Sequence, residues 1–188
     1  MPPTEPPALR ADARRNRARI LRAAAEVFAE HGAAASTEEV AIRAGVAAGT
    51  VFRHFPTKKD LLQAIIKDLL ESLTAEVDTL AAEGDPATAL FTFFGRMVEQ
   101  AVEKKTVADL LAADTGVDIQ VAGPVQSLQT AIETLLTGAQ RAGAVRDDVR
   151  LDEVMALLTG ACQGALHAGW PPDLQKRTLT IIFNGLRP

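Results

Sequence analysis

The sequence predicts an all-α fold of about nine helices, and three observations carry this prediction. Of the 188 residues, 47% are hydrophobic but only 4% are aromatic, and Tyr is absent. Apolar residues recur at helical spacing over long stretches, such as the one from Leu61 to Leu80. Nowhere do β-branched and polar residues alternate over the length that a sheet needs. A chain of this length is expected to form a small domain joined to a larger one.

The N-terminal residues combine prolines with arginines. Residues 1–11 are predicted to be a disordered arm, because four prolines in this stretch lack the amide hydrogen that a helix uses. The first helix is predicted from about Asp12 to Glu30. Six arginines lie between Arg10 and Arg22, with Asp12 as the one opposing acid. Such a segment suits DNA phosphates or the minor groove, although a solvated helix face has the same composition.

The segment from Ser36 to Phe55 predicts two short helices joined by a tight turn. Ser36 and Glu39 have the spacing of a capping box, so a helix is expected to begin there. Gly45 supplies the left-handed conformation that ends this helix. The next helix is rich in Ala, Gly and Thr, so it can approach a bulky surface such as the DNA major groove. Spacing alone leaves a helical hairpin within an ordinary bundle equally open.

The order of residues around this unit resembles the DNA-binding domain of the tetracycline-repressor (TetR) family of bacterial transcription regulators. The resemblance rests on RARILRAAAEVFAEHG at residues 17–32, AGVAAGTVFRHF at residues 44–55 and the residues 58–62. These segments fit the family in register without a gap. The resemblance implies a three-helix, helix-turn-helix DNA-binding domain over residues 12–57. It also implies a helical-bundle domain for effector binding and dimerisation over residues 58–188.

The resemblance, together with the basic segment, gives a set of residues expected to contact DNA. Ser36 and Thr37 occupy phosphate-contacting positions, as do His54 and Lys58. The whole set is Arg14, Arg15, Arg17, Ser36, Thr37, Ala48, Gly49, Thr50, Phe52, Arg53, His54 and Lys58.

Three residues depart from the family pattern. Ala47 replaces the usual Ser or Thr cap, Glu38 stands where some members have a base-reading Arg, and Phe52 lacks the hydroxyl of the usual Tyr. Direct base reading is therefore expected to depend on Thr50, Arg53 and backbone geometry.

Further helices are predicted after the helix-turn-helix, and the resemblance assigns roles to them. They are a helix of about 25 residues after Thr57, one from Pro86, a short one at 106–113, and others at 124–141, 151–168 and 173–184. In the family, the fourth to seventh helices enclose an effector pocket. Candidate residues for binding an unknown small-molecule effector are Phe91, Phe94, Met97, Leu111, Gln163 and His167. For any single apolar candidate, ordinary core packing is the favoured interpretation over a role in the pocket.

The last two helices are where family members dimerise, and the resemblance therefore implies a homodimer. The residues expected at this interface are Val154, Leu158, Ala161, Ala165, Leu179, Ile182 and Phe183, with Gly160 and Gly164 permitting close approach. A twofold dimer would place two reading heads on successive major grooves of a palindromic operator in double-stranded DNA.

Charge and composition agree with this organisation. The net charge is −4, yet residues 1–60 hold 10 Lys and Arg against 7 Asp and Glu, so this part is basic and the remainder is acidic. The single cysteine, Cys162, excludes an intramolecular disulfide and fits a reducing compartment. There is no apolar stretch long enough to span a membrane and no signal-peptide core. The expected location is the cytoplasm.

Other classes of function find little support in the residues. Three histidines occur without a zinc-binding HExxH pair, paired Cys ligands or a glycine-rich phosphate loop, so no enzyme, metal or cofactor is predicted. The prediction is a homodimeric repressor that a small molecule releases from DNA. An activator or ligand-independent regulator of the same fold stays open, as does a helical protein-interaction module that does not bind DNA.

Overall fold

The computed structural model describes residues 7–103 and 122–188, and these ranges contain eight α-helices and no strand. The helices are α1 (Pro7–His31), α2 (Thr37–Ala44), α3 (Ala48–His54), α4 (Lys58–Glu83), α5 (Pro86–Glu103), α6 (Ala122–Arg141), α7 (Leu151–Ala168) and α8 (Pro172–Leu186). The predicted all-α fold is confirmed. The short helix predicted at 106–113 lies outside the described residues, which accounts for the difference from nine.

The first helix begins earlier than the sequence pattern indicated. Helix α1 starts at Pro7, five residues before the predicted start at Asp12, so residues 7–11 of the predicted arm have helical backbone. Proline is well suited to a first helical turn, because its missing N–H would have no partner there and its φ is already helical. The remaining arm residues, 1–6, lie outside the described residues.

The chain divides into two compact units. The described part of the first unit is residues 7–68, and the second unit contains residues 69–103 and 122–188. The predicted domain boundary, between residues 57 and 58, coincides with the start of α4. The compact units instead divide within α4, after Asp68, so one continuous helix belongs to both.

The core of the first unit joins the first three helices. Helix α1 packs on α2, and α2 packs on α3. The buried side chains of α1 pack together with residues of α2, α3 and the segment after α3. They include Ile20, Leu21, Ala24, Val27, Phe28, Val40, Ala41, Ala44, Val51 and Phe55. Burial of this apolar surface fixes α2 and α3 against α1.

Helix α5 is the central helix of the second unit, where it packs against α6 and α7. Its side chains Leu90, Phe93, Phe94 and Val98 are almost completely buried. No helix in the described ranges is long and apolar enough to cross a membrane.

The loop between α6 and α7 also fixes the end of the chain. The Gln140 side-chain amide donates to the backbone carbonyls of Arg146 at 3.1 Å and Val149 at 2.9 Å. The Arg146 amide donates to the carbonyl of Leu186 at 2.9 Å. This loop therefore holds the C-terminal end of α8 within the second unit.

Candidate nucleic-acid interface and regulatory surfaces

Helix α2 begins with the capping box that the sequence predicted. The Ser36 amide donates to Oε2 of Glu39 at 2.9 Å, and the Glu39 amide donates to Oγ of Ser36 at 3.1 Å. Hydrogen bonding from Ser36 to the Glu39 carboxyl, chiefly from the Ser36 backbone amide, holds the pKa of this carboxyl below its usual value. The box satisfies two amides that the first turn of a helix leaves without partners.

The turn between α2 and α3 is closed by a side chain from α1. Gly45 adopts the predicted left-handed conformation, with φ 63° and ψ 41°. Nη2 of Arg19 donates to the carbonyl of Ala44 at 2.7 Å and to that of Gly45 at 3.0 Å. Arg19 thus satisfies carbonyls at the end of α2 and joins the turn to α1. Arg19 is one of six arginines in a basic segment, and no feature of the sequence pattern indicated that it has a role in folding.

Helix α3 presents a face of small, exposed residues. It begins after Ala47, which provides no side-chain cap, as the departure from the family pattern led us to expect. Val51 is buried and anchors the helix, while Ala47, Ala48 and Gly49 are exposed. A Cβ added at Gly49 would meet no heavy atom within 4 Å. A bulky surface can therefore approach the backbone of α3 closely.

Polar and aromatic side chains accompany this face. Thr50 is partly exposed, Arg53 is exposed and His54 is half-buried. Phe52 is 44% exposed, which is unusual for a large apolar side chain in a short helix. The structure therefore places the predicted residues of α3 on one small helix, with the capped N-terminus of α2 in the same unit. Their contacts with DNA stay predictions.

Two of the predicted phosphate-binding cations already have contacts within the first unit. Nζ of Lys58 donates to the carbonyl of Ala35 at 2.8 Å and lies 5.3 Å from the centre of the Phe28 ring. The guanidinium of Arg17 lies 5.5 Å from the centre of the Phe55 ring. Both side chains therefore help to hold the helix-turn-helix together, whatever they contribute to DNA binding.

The other predicted contacts near the N-terminus lie on α1 and α2. Arg15 is exposed and pairs with Asp12, and the Thr37 hydroxyl lies 3.4 Å from Oε2 of Glu38. Arg14 belongs to α1, but its side chain lies outside the described residues.

The predicted effector residues lie in several different environments of the second unit. Phe94 is buried in the core, and its ring meets that of Phe183 edge-on at 5.5 Å between centres. Phe91 packs on the same Phe183 ring at 4.9 Å. Met97 is half-buried, whereas Gln163 and His167 are exposed. The sixth candidate, Leu111, lies outside the described residues.

A cavity of about 880 Å³ lies elsewhere in the second unit, against α8. Its lining residues come from α5, from α8 and from the segment before α8, and they are Glu99, Trp170, Pro172, Gln175, Lys176, Leu179, Thr180 and Phe183. None of the five described effector candidates lines it, and their role in binding an effector stays a prediction. The candidates Phe91 and Phe94 instead pack behind Phe183.

The structure places the predicted dimer residues in or against the core of the second unit. The most deeply buried of them form part of the second unit's own core, since Val154, Leu158, Ala161, Ala165 and Leu179 are at most 8% exposed. Ile182 and Phe183 are half-buried against the same core. These side chains therefore have little or no surface left for a partner chain. A direct role of these residues in dimerisation stays a prediction.

The exposed apolar residues of α7 and α8 are different ones. Leu157 is 39% exposed, Leu174 is 45% exposed and Ile181 is 73% exposed. Leu174 and Ile181 are seven residues apart and share one face of α8. The two glycines of α7 also differ, because Gly160 is open whereas Trp170 covers Gly164. We call Leu157, Leu174 and Ile181 the outer apolar surface.

Residues that could support catalysis are sparse in the described part of the chain. No group of three or more His, Cys, Asp or Glu residues there could hold a metal ion. Burial raises the pKa of the Cys162 thiol to about 11, so this thiol is protonated at neutral pH. The side chain of His167 bonds the backbone carbonyl of Gln163 at 3.0 Å, on its own helix.

Comparison with protein families agrees with this arrangement. Residues 20–65 match the family model described as bacterial regulatory proteins, tetR family. Residues 85–188 match the model described as transcriptional regulator SbtR-like, C-terminal domain. The two matches cover the helix-turn-helix and most of the second unit. The chain belongs to the TetR family of bacterial transcriptional regulators, so the predicted family is confirmed.

Individual relatives support the same conclusion. The crystal structure of a TetR transcription regulatory protein from Mycobacterium vanbaalenii is 40% identical, with a TM-score of 0.78, over 96% of this chain and 99% of that one. The HTH-type transcriptional repressor KstR2 of Rhodococcus jostii is 25% identical over 185 residues, which is 90% of each chain. The HTH-type transcriptional repressor Rv3405c of Mycobacterium tuberculosis is 48% identical over 58 residues. That match spans 30% of this chain and 31% of the mycobacterial repressor.

Proposed function

We propose that this protein is a homodimeric, sequence-specific repressor that leaves its operator when a small molecule binds the second unit. The observation that carries the proposal is the open face of α3 within a capped helix-turn-helix. Two relatives, KstR2 and Rv3405c, are named as repressors, which favours repression over activation.

Recognition of DNA is assigned to the small residues of α3 and to the polar side chains beside them. Ala48 and Gly49 let the helix backbone lie close to the base edges of the major groove. Thr50 and Arg53 then supply a hydroxyl and a guanidinium, which hydrogen-bond bases or phosphates. Ser36, Thr37, His54 and Lys58 are the proposed phosphate contacts, which fix the helix in register on the duplex.

The dimer is assigned to the outer apolar surface. Leu157, Leu174 and Ile181 expose large apolar side chains on the two helices that family members use for dimerisation, and burial against a second copy would remove them from water. A twofold dimer places its two recognition helices about 34–36 Å apart on a palindromic operator.

The response to an effector is assigned to α4, which runs without a break from the first unit into the second. Suppose that the protein has two conformations that differ in the position of α4. A ligand that binds one of these conformations more tightly shifts the population toward it. Thermodynamic linkage requires that the ligand lowers the affinity for the operator by the same factor by which the operator lowers the affinity for the ligand.

The direct test is binding of the purified protein to fragments upstream of its own gene, titrated against salt with random duplex as competitor. Strong preference for a palindromic fragment is expected. No preference over random duplex, in protein shown to be folded and dimeric, would contradict sequence-specific binding.

Thr50 provides a matched variant pair for this assay. We expect Thr50→Ala to weaken operator binding about 5- to 100-fold and random-duplex binding much less, because it removes a base-proximal hydroxyl. Thr50→Ser keeps the hydroxyl and is expected to retain most of the preference. Equal losses of the Thr50→Ala variant on both kinds of DNA would contradict the role assigned to Thr50.

A further inference from the structure

The cavity against α8, which we call the Trp170 cavity, has the dimensions of a small-molecule site. Its volume is about 880 Å³, within the roughly 300–1,000 Å³ that ligand pockets occupy. A second cavity, of about 340 Å³, lies between the end of α4, the start of α5 and α6. The Trp170 cavity has more than twice this volume and can therefore accommodate a larger ligand.

One wall of the Trp170 cavity is apolar and is held in place from behind. The indole of Trp170 lies against Gly164, where an added Cβ would come within 2.5 Å of Cζ2. The Phe183 ring is fixed by its contacts with Phe91 and Phe94. Together with Leu179, these rings form a preformed surface against which an apolar ligand can pack.

The rim of the cavity carries hydrogen-bond donors and one acid. The ammonium group of Lys176 and the indole N–H of Trp170 make no hydrogen bond or ion pair with another residue in the described ranges. The Thr180 hydroxyl, by contrast, already donates to the carbonyl of Lys176 at 2.8 Å. Glu99 contributes one negative charge from α5. Two donors beside an apolar wall favour a ligand with a carboxylate, whereas Glu99 disfavours a second negative charge.

We propose that the Trp170 cavity binds a small amphiphilic monocarboxylate, whose apolar body packs on Trp170, Leu179 and Phe183 and whose carboxylate accepts from Lys176. This assignment rests on the proposed effector response and names its ligand class and its site. It places the effector beside α8, on the far side of Phe183 from the aromatic residues that the sequence indicated.

Trp170 is the only Trp in the sequence, and Tyr is absent, so intrinsic fluorescence reports directly on this cavity. The probe is 4-cyclohexylbutanoate, and the matched uncharged probe is its methyl ester. We expect the acid to give a saturable blue shift of Trp170 emission, with the ester binding about tenfold more weakly. No saturable change with the acid, or equal affinity for acid and ester, would overturn the proposal.

Variants on α8 separate the role of Lys176 from a general effect of charge. Lys176→Gln is expected to lower the affinity for the acid to that for the ester, while Lys176→Arg retains most of it. Arg177→Gln is the control, because it removes a cation from the next residue, which does not line the cavity. Equal weakening by Lys176→Gln and Arg177→Gln would contradict direct contact with the carboxylate.

The fluorescence titration contains no DNA, and the operator titration contains no ligand. Loss of operator preference with intact binding of the acid would therefore count against the proposed function alone. Intact operator preference with no binding of the acid would count against this inference alone.

Discussion

Arg19 shows that a residue within a basic segment can serve folding. Its guanidinium donates to the carbonyls of Ala44 and Gly45 and so joins α1 to the turn that orients α3. Arg22 lies on the same helix and is also exposed. Composition and spacing do not distinguish the two arginines. Arg19 differs because the fold brings the carbonyl of Ala44, 25 residues away, within hydrogen-bonding distance of its guanidinium.

Substitution of Arg19 tests this role. We expect Arg19→Gln to lower the free energy of unfolding by about 1–2 kcal/mol, because charged hydrogen bonds to helix-end carbonyls are lost. Urea denaturation followed by circular dichroism measures the change. Arg22→Gln is the control and should change stability little. Equal destabilisation by both variants would show that the bonds to the turn contribute nothing specific.

Glu30 and Arg43 form a two-bond ion pair between α1 and α2, with N–O distances of 2.5 and 2.7 Å. The hydrogen bond from Arg43 holds the pKa of the Glu30 carboxyl below its ordinary value of 4.5. A lowered pKa in the folded state means that the pair stabilises the fold above pH 4.5 and loses this contribution as the pH falls through the folded-state pKa.

The stability of a Glu30→Gln variant should therefore differ most from that of the unsubstituted protein near neutral pH. The difference is expected to shrink as the pH falls below 4.5, the ordinary value for the carboxyl. Thermal unfolding of both proteins across this pH range measures it. The control variant is Glu133→Gln, which removes an exposed acid from α6. A difference that grows as the pH falls would reverse the sign argued here.

At the scale of elements, helix α7 is fitted to the segment that follows it. Gly164 leaves room for the Trp170 indole, because an added Cβ would lie 2.5, 3.0 and 3.3 Å from atoms of that ring. Gly95, in the middle of α5, has no such neighbour within 4 Å. Both glycines lie within a helix, but an added Cβ would clash with a neighbouring side chain only at Gly164.

These glycines give a paired prediction. Gly164→Ala should displace Trp170, lower the free energy of unfolding by about 1–3 kcal/mol and shift the tryptophan emission to the red. Gly95→Ala should leave the emission unchanged and raise stability by about 0.5–1 kcal/mol, as is usual within a helix. Chemical denaturation with fluorescence detection measures both. Unchanged emission in the Gly164→Ala variant would show that the ring does not rest on this glycine.

At the scale of the whole molecule, the proposed dimer depends on the outward faces of α7 and α8. Ile181, which is 73% exposed, is the most exposed large apolar residue of these two helices. Val154, which is fully buried, belongs instead to the core of one chain. A charge at Val154 is expected to unfold the second unit, whereas a charge at Ile181 leaves that unit folded.

We therefore expect Ile181→Glu to convert a dimer to a folded monomer and to weaken operator binding at least tenfold, because one recognition helix then binds without its partner. Sedimentation velocity measures the oligomeric state. The control is Ile42→Glu, which adds the same charge at an 81% exposed residue of α2 and should leave the dimer intact. A dimeric Ile181→Glu variant would place the interface elsewhere.

The sequence by itself determined the all-α fold, the family and the helix-turn-helix, because these depend on local signals. The Ser36 and Glu39 capping box and the left-handed Gly45 act over a few residues, and the structure confirms both of them. Helix α1 begins at Pro7 rather than at the predicted Asp12. Proline disrupts the interior of a helix but suits its first turn, so its presence alone did not show where the helix begins.

Only the tertiary structure decided which face of each later helix is buried. Helical spacing identifies an apolar stripe, but it does not distinguish packing within one chain from packing between two chains. Val154 and Leu179 therefore looked like interface residues, whereas the fold buries them and exposes Ile181. The cavity beside Trp170 could not be predicted for the same reason, because it depends on how α5 and α8 meet across some eighty residues of sequence.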